Sequence, residues 1–369
     1  MEKIKVGIIG CGNISGIYFQ NLYYTFNNVK LAACADLDFE RAKAKTEEKD
    51  VQGRLKYPDV KALKVEELLA NEEIKIVVNL TTPQSHFDVA MNAINAGKSV
   101  YNEKPLTLCP EEARKLLDAA EKKHLRVSCA PDTFLGAGIQ TCRKLIDDGW
   151  IGTPASATAF MCCHGHESWH SNPAFYYLRG GGPMFDMGPY YLTALVNLLG
   201  PVETVAGMTG AATTHRVCTS KERNGEIIPV EVQTHVTGLL KFCSGVIANI
   251  ITSFDVVGHH LPNIEVHGTM GSLRVPDPNI FGGPVEYCRR DSNLWKEVPL
   301  THSYSDNSRG IGVADMAKAI INKTEHKANG KLALHVLEIM HALHDSSNNK
   351  TFVNITSKPS KPQALEMDL

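Results

Sequence analysis

An apolar run that stops on two glycines and resumes as a helix limits this chain more than any other feature. Residues Val6 to Gly16 read VGIIGCGNISG: Gly10 and Gly12 end the run, Asn13 and Ile14 complete the turn, and an acid, Asp36, stands 24 residues after Gly12. A helix that starts at such a turn presents bare N–H groups and the positive end of its dipole, which suits a pyrophosphate. Where the dinucleotide fingerprint has a third Gly or Ala, this chain has the small Ser15, with Gly16 beside it. Glycine turns alone are ordinary punctuation. Here Lys3 to Ile9 reads as a buried strand, Ile14 to Thr25 as a helix, and Val29 to Ala35 as a second strand ending on Asp36. That order points to a bound dinucleotide. Asp36 is expected to accept from the adenosine ribose hydroxyls and to repel a 2′-phosphate. Leu37 follows where a basic residue would suit NADP, so NAD is the expected cofactor; Arg41 is the residue nearby that keeps NADP as the lesser option.

The alternation continues. Helices are expected at Phe39 to Glu48, Val65 to Ala70, Pro83 to Ala96 and Pro110 to Lys123, with strands at Ile74 to Leu80, Ser99 to Asn102 and Arg126 to Ala130. Such a pattern predicts an α/β, doubly wound parallel sheet over residues 1–130, with ligands at the C-terminal ends of its strands. Beyond residue 150 the texture changes to long β segments: Ala155 to Met161, Val202 to Gly207, Val230 to Leu240, Val246 to Ile251, Asn263 to Val266 and Ser272 to Val275. We read residues 131–355 as a second, α+β domain for substrate binding and self-association. It would hold an open, mainly antiparallel sheet flanked by helices, among them Gly312 to Ile321 and Leu332 to Ser346. Residues 356–369 read as a loosely ordered tail.

At 369 residues the chain can bury two cores. Its 38 Lys and Arg against 40 Asp and Glu give a net charge of −2, which argues against a grip on nucleic acid or anionic lipid. Met1-Glu2-Lys3 leads directly into the first strand, and no apolar span of about 18 residues occurs, so the expectation is a soluble, cytoplasmic protein with no membrane partner. Ten cysteines in a chain of this length suggest reduced, mostly buried thiols, as at Cys34, Cys129 and Cys243.

Three further segments carry chemistry. The strand ending in Leu80 runs into Thr81-Thr82-Pro83-Gln84-Ser85-His86; the next ends in Glu103-Lys104-Pro105; and Gly180-Gly181-Gly182 leads to Asp186-Met187-Gly188-Pro189-Tyr190. With the glycine turn, this set resembles the Gfo/Idh/MocA oxidoreductase family, and the resemblance spans nearly the whole chain. It implies a Rossmann dinucleotide domain, a catalytic Lys104, Glu103 near the nicotinamide ribose, His86 beside the nicotinamide, and no metal. Thr81, Thr82 and Pro83 join the cofactor-binding set. His86 also has the plainer reading of a capping or packing histidine.

The family pattern carries a proton-transferring histidine where this chain has Tyr190. A similar tyrosine occurs in the glucose–fructose oxidoreductase and dihydrodiol dehydrogenase branches. A phenol with an ordinary pKa of about 10 is a poor base at neutral pH, and bringing it to about 7 takes about 4 kcal/mol. An ammonium about 4 Å away supplies that at an effective dielectric of about 20, so Lys104 suffices as the activating charge. Tyr191 is the alternative outward tyrosine. Asp186, four residues before Tyr190, would share its helix face and hold a substrate hydroxyl or orient Lys104.

The stretch Cys162-Cys-His-Gly-His-Glu-Ser-Trp-His170 admits two readings. If the preceding strand continues, Cys162, His164 and His166 point to one face, as zinc ligands do. Hydride transfer needs no metal, however. A loop contacting substrate is the preferred reading: His164, His166 and His170 offer hydrogen bonds, Trp169 a flat apolar face for a sugar ring, and Tyr176 and Arg179 extend the surface. Tyr177, in the same run, is expected to line the same pocket. Arg179 also admits an acidic substrate group.

The expected function is hydride transfer between NAD and a secondary hydroxyl of a sugar, sugar derivative or cyclitol. Two rivals stand beside it: a glycosidase that oxidises, eliminates, hydrates and reduces in turn, and a non-catalytic dinucleotide sensor. An exposed sheet face predicts a homodimer or homotetramer.

Overall fold

The computed structural model describes residues 3–367, which leaves Met1, Glu2 and the last two positions of the tail outside the description. The chain forms two compact units.

The first comprises residues 1–135 and 307–334. Its strands are β1 (Ile4–Ile9), β2 (Val29–Ala35), β3 (Lys61–Ala62), β4 (Ile76–Asn79), β5 (Ser99–Asn102) and β6 (Val127–Cys129), in the order β3-β2-β1-β4-β5-β6. All the pairings are parallel. The apolar runs read as buried strands are buried: Val6, Ile8, Ile76, Val77, Val78 and Val100 have no exposed surface. Helices α1 (Ser15–Tyr24), α2 (Phe39–Thr46), α3 (Val65–Ala70), α4 (His86–Asn95) and α5 (Pro110–Lys122) connect them. The helix expected from Pro83 opens with a 3₁₀ turn at Pro83–Ser85 before α4 begins.

The second unit comprises residues 136–306 and 335–369. It opens with α6 (Ala137–Asp147), then β7 (Pro154–Cys162), α7 (Pro183–Asp186), α8 (Gly188–Leu199), β8 (Val202–Gly210), β9 (His215–Val217) and β10 (Ile227–Pro229). Next come β11 (His235–Phe242), β12 (Ile247–Ser253), β13 (Ile264–Gly268), β14 (Gly271–Val275), β15 (Val285–Arg289) and β16 (Trp295–Val298). The nine-stranded sheet runs β16-β15-β14-β13-β7-β12-β11-β8-β17, where β17 is Val353–Asn354, and every pairing except β12 with β7 is antiparallel. Along β11 the pattern alternates: Val236, Leu240 and Phe242 are buried, whereas Leu239 is exposed. This is the half-covered sheet that alternation predicts.

Some expectations are corrected. The helix α9 (Ile311–Asn322) belongs with the first unit, where the Asp132 carboxylate accepts from the N–H groups of Gly310 and Gly312 at 2.8 and 3.0 Å. An apolar helix says nothing in sequence about which core it joins. The helix α10 (Gly330–Asn349) follows it. The strand expected from Val230 starts at His235, because the N–H groups of Val230 and Glu231 donate instead to the Thr214 and Tyr177 carbonyls. The tail is fastened: Leu365 N–H donates to Gln140 Oε1 at 2.7 Å, Arg143 donates to the Pro362 carbonyl at 2.9 Å, and Leu365 is buried. All ten cysteines are free; Cys34 and Cys129 are buried, but Cys243 lies exposed in the turn between β11 and β12. Among the described residues no helix is long and apolar enough to cross a membrane.

Candidate active site

In the first unit the glycine turn is held from two sides. Gly10 takes φ +104°, and a Cβ there would lie 2.7 Å from the Leu80 carbonyl, so the turn and the end of β4 touch through bare backbone. The Ser15 hydroxyl donates to the Gly12 carbonyl at 2.6 Å, which makes the one departure from the glycine fingerprint a fastener of the turn. Asp36 accepts from Cys11 N–H at 2.7 Å and Asp38 N–H at 3.0 Å. Its remaining lone pairs suit ribose hydroxyls. Leu37 is fully exposed, and Arg41 Nε sits 3.4 Å from Asp38. A Cβ on Gly12 would meet nothing within 4 Å, so the turn has open space where a pyrophosphate would rest. Asn13 is exposed and Ile14 39% exposed beside it. The turn therefore fits the dinucleotide its sequence suggested.

The ends of β4 and β5 form one buried polar lattice that the sequence reading missed. Asn79 and Asn102 are paired in register and are fully buried, and Asn79 Nδ2 donates to Asn102 Oδ1 at 3.0 Å. Thr81 Oγ1 donates to Asn79 Oδ1 at 2.6 Å, and Asn102 Nδ2 donates to the Leu106 carbonyl at 2.9 Å. The signal was available: two neighbouring apolar strands each end on Asn. Glu103 accepts from Tyr18 Oη at 2.9 Å and from Lys104 N–H at 2.9 Å. Burial, then the Glu103 charge, holds the Tyr18 pKa well above the phenol range, so Tyr18 remains a donor. Lys104 thus leaves the sheet at the edge that carries the glycine turn, from a backbone its neighbour pins.

His86 has the contacts of the plainer reading, a packing histidine. The ring is fully buried, with Nδ1 2.6 Å from the Pro105 carbonyl and Nε2 3.1 Å from the Thr81 carbonyl. Burial lowers its pKa, and we assign the proton of the neutral ring to Nδ1 on the shorter contact. Both nitrogens face protein carbonyls, so the side chain offers no polar atom to a ligand. It ties the Thr81-Thr82-Pro83 loop to the Lys104-Pro105 loop.

In the second unit the strand reading of the histidine stretch fails at once. β7 ends at Cys162, so Cys162, His164 and His166 do not share a strand face. His164 is exposed, with Nε2 3.4 Å from Ser168 Oγ. His166 is buried within an aromatic wall, its ring 4.0 Å from Tyr176, 4.7 Å from Phe254 and 5.3 Å from Trp169, centre to centre. Its Nε2 lies 3.5 Å from Asp186 Oδ2, too long for a hydrogen bond and close enough for charge to matter. His170 packs on Tyr176, and burial followed by the His166 charge lowers its pKa. Trp169 is 62% exposed and Arg179 stands in solvent.

The glycines explain how this loop closes. A Cβ on Gly181 would lie 2.5 Å from the Phe175 carbonyl and 2.6 Å from the Tyr176 carbonyl, so only glycine lets the aromatic turn fold back. Asp186 ends α7 and Tyr190 sits in the first turn of α8, with Met187 (φ −110°, ψ −23°) between them. The two residues therefore do not share one continuous helix, contrary to the i, i+4 expectation. Tyr191 is engaged in the core: it accepts from Asn263 Nδ2 at 2.9 Å, and burial pushes its pKa up. Tyr190 is 8% exposed in the first turn of α8.

Behind the wall lies a charged network the sequence did not announce. Tyr177 Oη donates to Glu167, Arg216 bridges Glu167 (3.1 Å) and Asp255, and the guanidinium stands 5.4 Å from the Tyr177 ring centre. Tyr177 is fully buried there and faces the network, not a ligand.

Comparison with known proteins places both units in one family. A family model described as an oxidoreductase family with an NAD-binding Rossmann fold matches residues 4–130, and a GFO/IDH/MocA C-terminal domain model matches residues 139–274. An uncharacterized oxidoreductase of Schizosaccharomyces pombe is 28% identical over 242 residues, 63% of this chain and 58% of that protein, so the match spans under two thirds of that relative. D-glucoside 3-dehydrogenase of Escherichia coli K12 is 28% identical over 371 residues, covering 96% of this chain and 98% of the relative. The crystal structure of an NAD binding oxidoreductase from Klebsiella pneumoniae shares the fold, with a TM-score of 0.78 at 21% identity over 96% of this chain and 99% of that one.

Proposed function

Since the chain belongs to the GFO/IDH/MocA family of NAD-binding oxidoreductases, we propose that it moves a hydride between the cofactor and a secondary hydroxyl of a sugar, sugar derivative or cyclitol. The observation that carries this reading is the placement of Glu103 and Lys104 at the strand edge that holds the glycine turn and Asp36. NAD, when bound, supplies the hydride acceptor. In the proposed chemistry Tyr190 takes the hydroxyl proton, Lys104 lowers the phenol's pKa and binds the oxygen, and Asp186 positions the substrate. Trp169, His166, His170 and Tyr176 suit a sugar ring, with flat faces beside hydrogen-bonding edges; Arg179 and His164 extend that surface. The similarity to D-glucoside 3-dehydrogenase supports a glycoside or sugar as the substrate class.

A redox glycosidase is the second reading. It is favoured by the His166 imidazole 3.5 Å from Asp186, a second acid–base pair that simple dehydrogenation does not require. One assay separates the two: free sugars, glycosides and cyclitols are screened with NAD and NADP while reduced cofactor and released aglycone are both followed. Net NADH supports the dehydrogenase, whereas aglycone release without net NADH supports the glycosidase. Cofactor binding without either product would leave the sensor reading.

Met208, Leu239 and Ile247 are exposed on the nine-stranded sheet. They favour self-association through that face, as dimer or tetramer; sedimentation showing only monomer would end this proposal. The free cysteines accord with residence in the cytoplasm, which cell fractionation tests.

A further inference from the structure

The edge of the parallel sheet opposite the glycine turn is basic strand by strand. Lys30 and Lys5 are register partners at the starts of β2 and β1. Lys75, just before β4, donates its N–H to the Lys5 carbonyl at 3.0 Å; Ser99, just after Lys98, donates to the Lys75 carbonyl at 3.0 Å; and Val100 donates to the Arg126 carbonyl at 2.9 Å. Strands about 4.8 Å apart thus each begin on a cation. An opening of about 690 Å³ lies along this edge, and its charged lining is Lys3, Lys5, Lys75, Arg126 and Lys323 against one carboxylate, Glu73.

Part of this charge serves the fold. Helices end at this edge, and their last carbonyls attract cations. Lys98 Nζ donates to the carbonyls of Asn71 and Ile74 at 2.7 and 2.9 Å, Lys123 Nζ to those of Ile94 and Asn95 at 3.3 and 3.1 Å, and Arg126 to that of Ala319 at 3.1 Å. Lys5 pairs with Glu73 at 2.7 Å. The helix ends and the one lining acid are thereby answered, yet Lys3, Lys75 and Lys323 remain, all exposed and without a side-chain hydrogen bond or ion pair among the described residues. The surplus is felt locally: burial, and then the Lys75 charge, holds Lys98 below the ordinary lysine range. In a chain of net charge −2 this is a concentrated positive field at a concave surface. Ile4, Leu125 and Ile320 give the opening apolar patches between the charges.

We propose that this edge is a second ligand site, separate from the NAD turn, for a small anion carrying two linked phosphates. Inorganic pyrophosphate and a nucleoside diphosphate share that chemistry; the apolar patches favour the latter.

Titration calorimetry tests it on the full chain saturated with NAD, so that the glycine turn is already filled. Inorganic pyrophosphate should bind saturably at low ionic strength and weaken as salt rises. The double variant Lys75→Gln/Lys323→Gln should lower that affinity at least about tenfold while leaving NAD affinity and thermal unfolding unchanged, since both side chains stand in solvent. ADP binding more tightly than pyrophosphate identifies the nucleotide as the source; equal affinity identifies free pyrophosphate, and either supports the site. No saturable pyrophosphate binding, an isotherm unchanged in the double variant, or binding to anionic vesicles or RNA in place of pyrophosphate would each overturn it.

Discussion

At the C-terminal ends of the parallel strands, Asn79, Asn102, Glu103 and His86 are buried and their polar atoms are matched to partners from β4, β5, α1 and the loops between them. In the loop that follows β7, Trp169 and Phe175 are 62% and 50% exposed, and His164 and Arg179 stand in solvent. The first arrangement is set before any ligand arrives, as suits a cofactor that does not change. The second is a surface carried on a loop, where side chains are exchanged at little cost to the fold, as suits selection among substrates. Even so, exposure in the second unit is greatest at that rim: Tyr190 and Tyr191 are buried, and the Glu167, Arg216 and Asp255 side chains are only 12–14% exposed.

The comparison can be broken at several points. Replacing Tyr190 by Phe should lower kcat by about 10²–10⁴ with NAD affinity unchanged in fluorescence titration; an unchanged kcat would remove the second unit's claim to the proton transfer. The core of the second unit should respond to acid. Val202 N–H donates to Nε2 of His335 at 2.9 Å, and burial lowers that histidine's pKa to about 4. Its folded value lies below the ordinary 6.5, so protons favour the unfolded chain: the contribution is complete above about pH 6.5 and lost as pH falls towards 4. That loss amounts to about 3 kcal/mol. Urea midpoints measured across this window should fall less steeply in His335→Gln. In the first unit, Gly10→Ala must place a Cβ 2.7 Å from the Leu80 carbonyl at a φ of +104°; we expect a cost of about 1–3 kcal/mol, read as a lower melting temperature together with weaker NAD binding. Smallest is Trp169→Ala, for which a KM several-fold higher at nearly constant kcat reflects the loss of about 1 kcal/mol of ring contact. An effect confined to kcat would instead move Trp169 from the rim to the chemistry.

Much of the first unit was legible because its signals are local. The strand Val29–Ala35, the helix Val65–Ala70 and the strand Ser99–Asn102 have the bounds that periodicity gave them. The glycine turn and Asp36 declare their roles within one βαβ unit. What escaped depends on contacts distant in sequence. His86 reads as a ligand-edge residue until the Pro105 carbonyl, 19 positions away, is seen against its ring. Asp186 and Tyr190 have helical spacing, yet the chain breaks at Met187, where the Pro189 ring helps start a new helix. Beyond Tyr190 the extent of α8 has no periodic signal, because every residue of Gly188–Leu199 is buried and no polar stripe marks an outer face.

The amide pair at the ends of β4 and β5 also bears on how the sheet assembles. Neighbouring strands of Val, Ile and Tyr could slide past one another with little change in apolar contact, because IVVN and SVYN are short and nearly uniform. Only one alignment brings Asn79 opposite Asn102. A slip by one residue would break the Asn79–Asn102 bond in a dry interior, at about 1–3 kcal/mol. The pair thus works as a proofreading device for the nascent sheet, and it sets the height at which Thr81 and Lys104 emerge before any cofactor is there to select them.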